Sequence, residues 1–102
     1  MHNSHLRSQI AQQLSLVLDP ELFISIVDLG LIYNIYISDQ KAIIVMTLTT
    51  IGCPLFGVLE KEIKERVSSL ESINEVELEL IFDPPWSMQM ISPKALAELG
   101  ME

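Results

Sequence analysis

The 102-residue chain contains a single cysteine, Cys53, and only six basic residues. One cysteine permits no internal disulfide, no closed cysteine-rich zinc site and no dithiol redox cycle, since no second thiol can resolve a mixed disulfide. Such usage fits a reducing compartment, and a cytoplasmic location is expected. The basic residues Arg7, Lys41, Lys61, Lys64, Arg66 and Lys94 form no stripe or cluster, and 14 acidic residues leave a net charge of -8. Nucleic acid and anionic membrane surfaces, which are bound through Lys and Arg, would be repelled. No apolar run approaches the roughly 20 residues of a membrane span. The stretch Met1 to Gln13 is polar rather than a basic segment followed by an apolar one. A glycine-rich phosphate loop, a nucleophile elbow and a histidine close to Cys53 are all missing, so P-loop, hydrolase and papain-like chemistries lack support. His2 and His5 have no third ligand near them in sequence and are discounted as a metal site.

What is present is a composition that should pack. Apolar residues make up 49% of the chain and charged ones 20%, which argues for one folded domain over residues 1–102 and against disorder. Leu6, Ile10, Leu14 and Val17 recur at helical spacing, with Asn3 or Ser4 available as N-cap, so a first helix is expected to about Leu18. Asp19-Pro20 should stop it, because the residue before proline is pushed out of the helical region. Leu31 to Ser38 and Ala42 to Thr49 are rich in β-branched and aromatic residues and flank a short polar loop, which predicts a β-hairpin. Phe56, Leu59, Ile63, Val67 and Leu70 form one apolar stripe along a second helix. Val76, Leu78, Leu80 and Phe82 alternate with polar positions as a strand with one wet face. Ser92 as N-cap, Pro93 at the first position, Ile91 as a staple toward Leu96 and Gly100 past the end frame a short last helix.

The order α-β-β-α-β-α implies a small two-layer α+β domain, a mixed three-stranded sheet with helices mainly on one face. Ile43 to Met46 is apolar on both faces, so a homodimer contact or the first helix should cover the second face.

Chemistry concentrates in three segments. Thr47 to Pro54 runs from strand into helix, with Gly52 permitting a sharp turn and Pro54 suited to a first helical turn. Cys53 then lies at or near an N-cap, where the helix dipole and free N–H groups favour the thiolate. A small buried hydrophobe is the equally balanced alternative on spacing alone. Ile26-Val27-Asp28-Leu29-Gly30 sets a carboxylate just before the first strand, either facing the cysteine turn as acceptor or hard metal ligand, or supporting Gly30 through an Asx-type turn. Asp83-Pro84-Pro85-Trp86-Ser87 is a stiff arm. It presents Trp86 as a wall of the site or a partner anchor, or folds it back to cap the core. Met88 and Met90 beyond it offer soft thioethers, with gap-filling the favoured role. Asp19-Pro20-Glu21 reads as a structural turn. One thiolate cannot hold a metal cluster that takes four ligands, so any such group must be shared with another subunit or a client.

Taken in order, Asp19-Pro20-Glu21, Ile26 to Leu31, Thr47-Leu48-Thr49 with Gly52-Cys53-Pro54, and Asp83 to Ser87 resemble the SufT/PaaD-like family of iron–sulfur assembly domains. The resemblance runs from Leu6 to Gly100. It implies a compact α/β domain in the maturation of iron–sulfur proteins, without enzymatic activity, working with an assembly scaffold and client apoproteins. Carried over by position, the reactive cysteine falls on Cys53 and the acidic loop residue on Asp28, with Thr49 and Trp86 in the surrounding motifs. Cys53 would be a transient ligand for iron or an iron–sulfur cluster, shared between chains or with a client. Phenylacetate-degradation members carry a cysteine-rich extension and others are fused to a P-loop ATPase. This sequence shows neither, which favours a stand-alone SufT-like member. Two competing classes remain: a thiol enzyme or redox sensor using Cys53, and a non-catalytic interaction module anchored by Trp86.

Overall fold

The apolar stripe of Leu6, Ile10 and Leu14 forms the inner side of α1 (His2–Leu14), with Ile10 and Leu14 fully buried. The computed structural model describes residues 2–20, 22–48 and 56–100, with side chains from residue 5 onward. Helix α1 differs from expectation at both ends. Asn3 and Ser4 lie inside it rather than capping it, and it closes at Leu14 instead of near Leu18. The early end has a tertiary cause. Leu16 N–H bonds to Gln13 O and Val17 N–H to Leu14 O, a tightening of the last turn. The chain then pairs with a returning segment through Ile26 N–H to Val17 O and a bridge between Leu18 and Ser25. Residues 17–19 are extended for that pairing and cannot also be helical.

Strands β1 (Ile32–Ser38) and β2 (Lys41–Met46) are antiparallel and joined at Asp39-Gln40, with Asp39 at φ +54°, a left-handed conformation that Asp tolerates. Helix α2 (Phe56–Ser68) carries the chain to β3 (Glu75–Leu80), which pairs parallel with β2. The sheet order is β1-β2-β3, a mixed sheet with β2 at its centre, as expected. Ala42, Ile44 and Met46 of β2 are fully buried in one cluster with Ile10, Leu14 and Val17 beside α1 and with Leu59, Ile63 and Val67 of α2. Both helices therefore share one layer, and α1 does not cover the sheet's second face. On that face Ile43 sits in register between Tyr36 and Glu77, and Lys41 between Ser38 and Glu75.

The closing helix α3 (Pro93–Leu99) follows the sequence closely. Ser92 accepts a hydrogen bond from Ala95 N–H at 3.1 Å, Pro93 begins the helix and Gly100 ends it at φ +73°. A 3₁₀ turn over Met88–Met90 precedes it.

The second sheet face carries one tunable contact. Lys41 Nζ lies 2.8 Å from Glu77 and 3.7 Å from Glu75. The hydrogen bond and charge of Glu77 raise the Lys41 pKa above the ordinary lysine value, and Lys41 in turn holds Glu77 below the ordinary glutamate value. Both groups are at the surface, so the pair's contribution is small and salt-screened. It is present at neutral pH, is lost as acid titrates Glu77 through its depressed pKa, and is lost again as alkali takes Lys41 through its raised one. Glu77→Gln should melt slightly below wild type at neutral pH, with the difference closing in acid below the ordinary glutamate range. Thermal unfolding recorded across pH checks this.

Candidate functional site

The segment around Asp28 is a tight turn made by backbone and by one hydroxyl. Leu29 N–H bonds to Ser25 O, Gly30 N–H to Val27 O and Leu31 N–H to Ile26 O. Val27 N–H donates to Ser25 Oγ at 3.1 Å. The local side-chain support expected of Asp28 therefore comes from Ser25, a buried residue. The Asp28 side chain is half-buried and makes no hydrogen bond or ion pair among the described residues.

The carboxy-terminal segment clamps this turn. Trp86 folds back onto the core and its indole N–H donates to Leu29 O at 2.7 Å. Ser92 N–H donates to Asp28 O at 2.7 Å. Between them Met90 lies against Gly30 so closely that a Cβ on Gly30 would collide with the Met90 carbonyl and come within 2.7 Å of Met90 Cβ. Gly30 is also at φ +79°, so the position needs glycine twice over, for conformation and for space. Tyr33 ties the same segment down by donating its hydroxyl to Pro84 O at 2.8 Å, with Met90 Sδ 3.6 Å away.

Of the residues singled out from sequence, Asp28 and Trp86 are thus brought to one place, joined through Leu29. Trp86 takes the folded-back option, and its one polar group is spent within the chain. Cys53 and Thr49 lie outside the described residues. The stem leading to them is described: Thr47 N–H donates to Leu31 O at 2.8 Å, so β2 leaves the sheet beside the strand that follows the Asp28 turn. Sequence reading overlooked Ser25, Tyr33, Ser92 N–H and the Met90 contact. Only Ser25, two residues before Val27, carried a local signal, as a hydroxyl placed to close a turn. The others act between segments far apart in the chain. Among the described residues no group of three or more His, Cys, Asp or Glu side chains could hold a metal ion. None of the described helices is long and apolar enough to cross a membrane.

With this geometry in place, comparison with known proteins decides the lineage. Residues 7–80 match the family described as iron-sulfur cluster assembly protein. The chain belongs to that family. Within it, the chain is 35% identical to the Fe-S protein maturation auxiliary factor of Porphyromonas gingivalis, over 98% of each chain. It is 37% identical to the Fe-S protein maturation auxiliary factor SufT of Staphylococcus aureus, over 84% of this chain and 99% of the relative. The crystal structure of a domain of unknown function from Bacillus anthracis superposes with a TM-score of 0.91 at 35% identity, covering 97% of this chain and 95% of that one. The chain is therefore a SufT-like member of the iron–sulfur assembly family, and its three helices and mixed three-stranded sheet are the fold of its structural relatives.

The clamp has a direct test. Trp86→Phe keeps the ring and removes the N–H, leaving Leu29 O without its donor, and should cost about 1–3 kcal/mol of stability. Gly30→Ala should cost roughly 3 kcal/mol or more, from left-handed strain and overlap with Met90. Denaturant unfolding gives both values, and amide exchange at Leu29 to Leu31 should accelerate more in either variant than in the distant β3.

Proposed function

We propose that this chain is a single-domain, non-enzymatic auxiliary factor that helps assemble iron–sulfur clusters or pass them to client apoproteins, with Cys53 as a transient ligand for the iron or cluster it handles. The observation that carries this reading is the clamped turn of Asp28, whose carboxylate has no partner among the described residues and which runs into Leu31, the residue whose carbonyl accepts the Thr47 N–H at the end of β2. One hard oxygen donor, Asp28, and one soft sulfur donor, Cys53, make an incomplete ligand set. An incomplete set suits a carrier. The remaining ligands would come from the scaffold, the client or a second copy, and exchange of those ligands is what moves the cargo. The names of the SufT-like relatives support the pathway.

In this reading Asp28 acts by position. Its main chain is fixed by Ser92 and, through Leu29, by Trp86, so the backbone that presents the carboxylate has little conformational freedom left to lose on binding. Trp86 is a support rather than a ligand, its indole holding the turn, and Thr49 precedes Cys53 by four residues in the sequence. The sequence offers no second cysteine and no histidine near Cys53 in the chain, which favours the carrier over a thiol enzyme.

The test is anaerobic reconstitution with ferrous iron and sulfide, read by visible absorption and native mass spectrometry, alone and with an assembly scaffold. Wild type should take up iron or a cluster, Cys53→Ser should lose the sulfur-to-iron charge-transfer bands, and Asp28→Asn should weaken uptake by roughly 10-fold. Absence of uptake by wild type under both conditions, with client maturation unchanged in Cys53→Ser, would overturn the proposal.

A further inference from the structure

Phe23 occupies a place that neither the core nor the backbone accounts for. It is 73% exposed, and its φ of +58° is a left-handed conformation in which a bulky side chain is strained. Glycine or asparagine would satisfy the backbone there with less strain. The conformation is nevertheless enforced. Phe23 N–H bonds to Asp19 O at 2.8 Å, Asp19 N–H to Ile24 O at 2.9 Å, and Leu22 N–H to Asp19 Oδ1 at 2.9 Å, so both arms of the loop are pinned to Asp19.

The surroundings of Phe23 are apolar as well. Of the eight large apolar side chains that stand exposed among the described residues, five (Leu16, Leu18, Leu22, Phe23 and Val27) fall within twelve residues of chain. The pairing of Leu18 with Ser25 and of Val17 with Ile26 folds this stretch back on itself. A clustering of this kind marks a binding surface. The charged residues of the stretch from Leu16 to Leu31 are Asp19, Glu21 and Asp28, all acidic, in a chain of net charge -8.

The geometry points to the Phe23 loop as a docking element for a partner protein of the assembly pathway, with Phe23 inserted into an apolar pocket whose rim is basic. Charge selects this occupant. A second copy would bring another -8 to the contact, and an anionic lipid surface would meet acidic residues. The loop continues through Val27 directly into Asp28, so a partner seated on Phe23 would have its own ligands beside the candidate site. This surface rests on the proposed carrier role and adds what that role lacks, a means of choosing where the cargo goes. An exposed aromatic held by the backbone bonds of its loop is the kind of anchor that dominates interface energetics.

The experiment uses the full chain with two probes, the purified iron–sulfur scaffold protein and one purified apo-client from the same cell, titrated by calorimetry at low and moderate salt. Phe23→Asn should melt at or above the wild-type temperature yet bind at least about 10-fold more weakly. Phe23→Trp should retain binding, and raised salt should weaken the wild-type complex. If wild type binds neither protein, the carrier reading falls together with this surface. If wild type binds and Phe23→Asn binds within about twofold of it, the surface alone is overturned. A concentration-dependent dimer, or binding to phosphatidylcholine vesicles, that Phe23→Asn abolishes would assign the loop to a second copy or to lipid and overturn it too.

Discussion

A carbonyl oxygen at Leu29 and an indole N–H at Trp86, 57 residues apart, meet at 2.7 Å, and the geometry of the candidate site depends on that meeting. The turn from Ser25 to Leu31 closes itself with short backbone bonds, but those bonds leave the outward carbonyls of Asp28 and Leu29 without partners. Peptide groups in such a position are costly unless something donates to them. The chain supplies both donors from one segment, the indole of Trp86 and the Ser92 N–H, with Met90 seated on Gly30 between them. Removing any of the three would loosen the same turn.

That arrangement explains why a tryptophan, two prolines and a capped helix follow one another after β3. Pro84 accepts from Tyr33 of β1, Trp86 reaches Leu29, Met90 meets Gly30, and Ser92 serves twice, its N–H on Asp28 and its hydroxyl on α3. The segment from Asp83 to Ser92 acts as a strap across the Asp28 turn, and α3 anchors the end of the strap through the buried Ala95. Rigidity at Asp28 is then a consequence of tertiary contacts rather than of local turn chemistry.

The elements themselves are largely legible in the order of residues. The stripe of Leu59, Ile63 and Val67, the alternation of Glu75, Glu77 and Glu79 with Val76, Leu78 and Leu80, and the Ser92-Pro93-Gly100 frame each encode their geometry within a few residues. The first helix is harder. Its apolar spacing runs on to Val17, yet Val17 is buried by pairing with Ile26 and not by a further helical turn, and no periodicity distinguishes those outcomes. Asp28 stands out in the sequence as a carboxylate before a strand, but the turn-supporting role open to it belongs to Ser25, because a backbone ladder and one hydroxyl already fill that need.

By itself, then, the sequence determined the order of elements, the mixed sheet, the family and the short list of residues capable of chemistry, since periodicity, caps and motifs are local properties of the chain. Only the tertiary structure decided that Trp86 turns inward, that Gly30 must be glycine to admit Met90, and that Asp28 and the strap share one place. It also decided that Phe23 stands strained and exposed at a loop tip. Each of these depends on which distant segments meet, and contacts between such segments are set by the packing of the whole core.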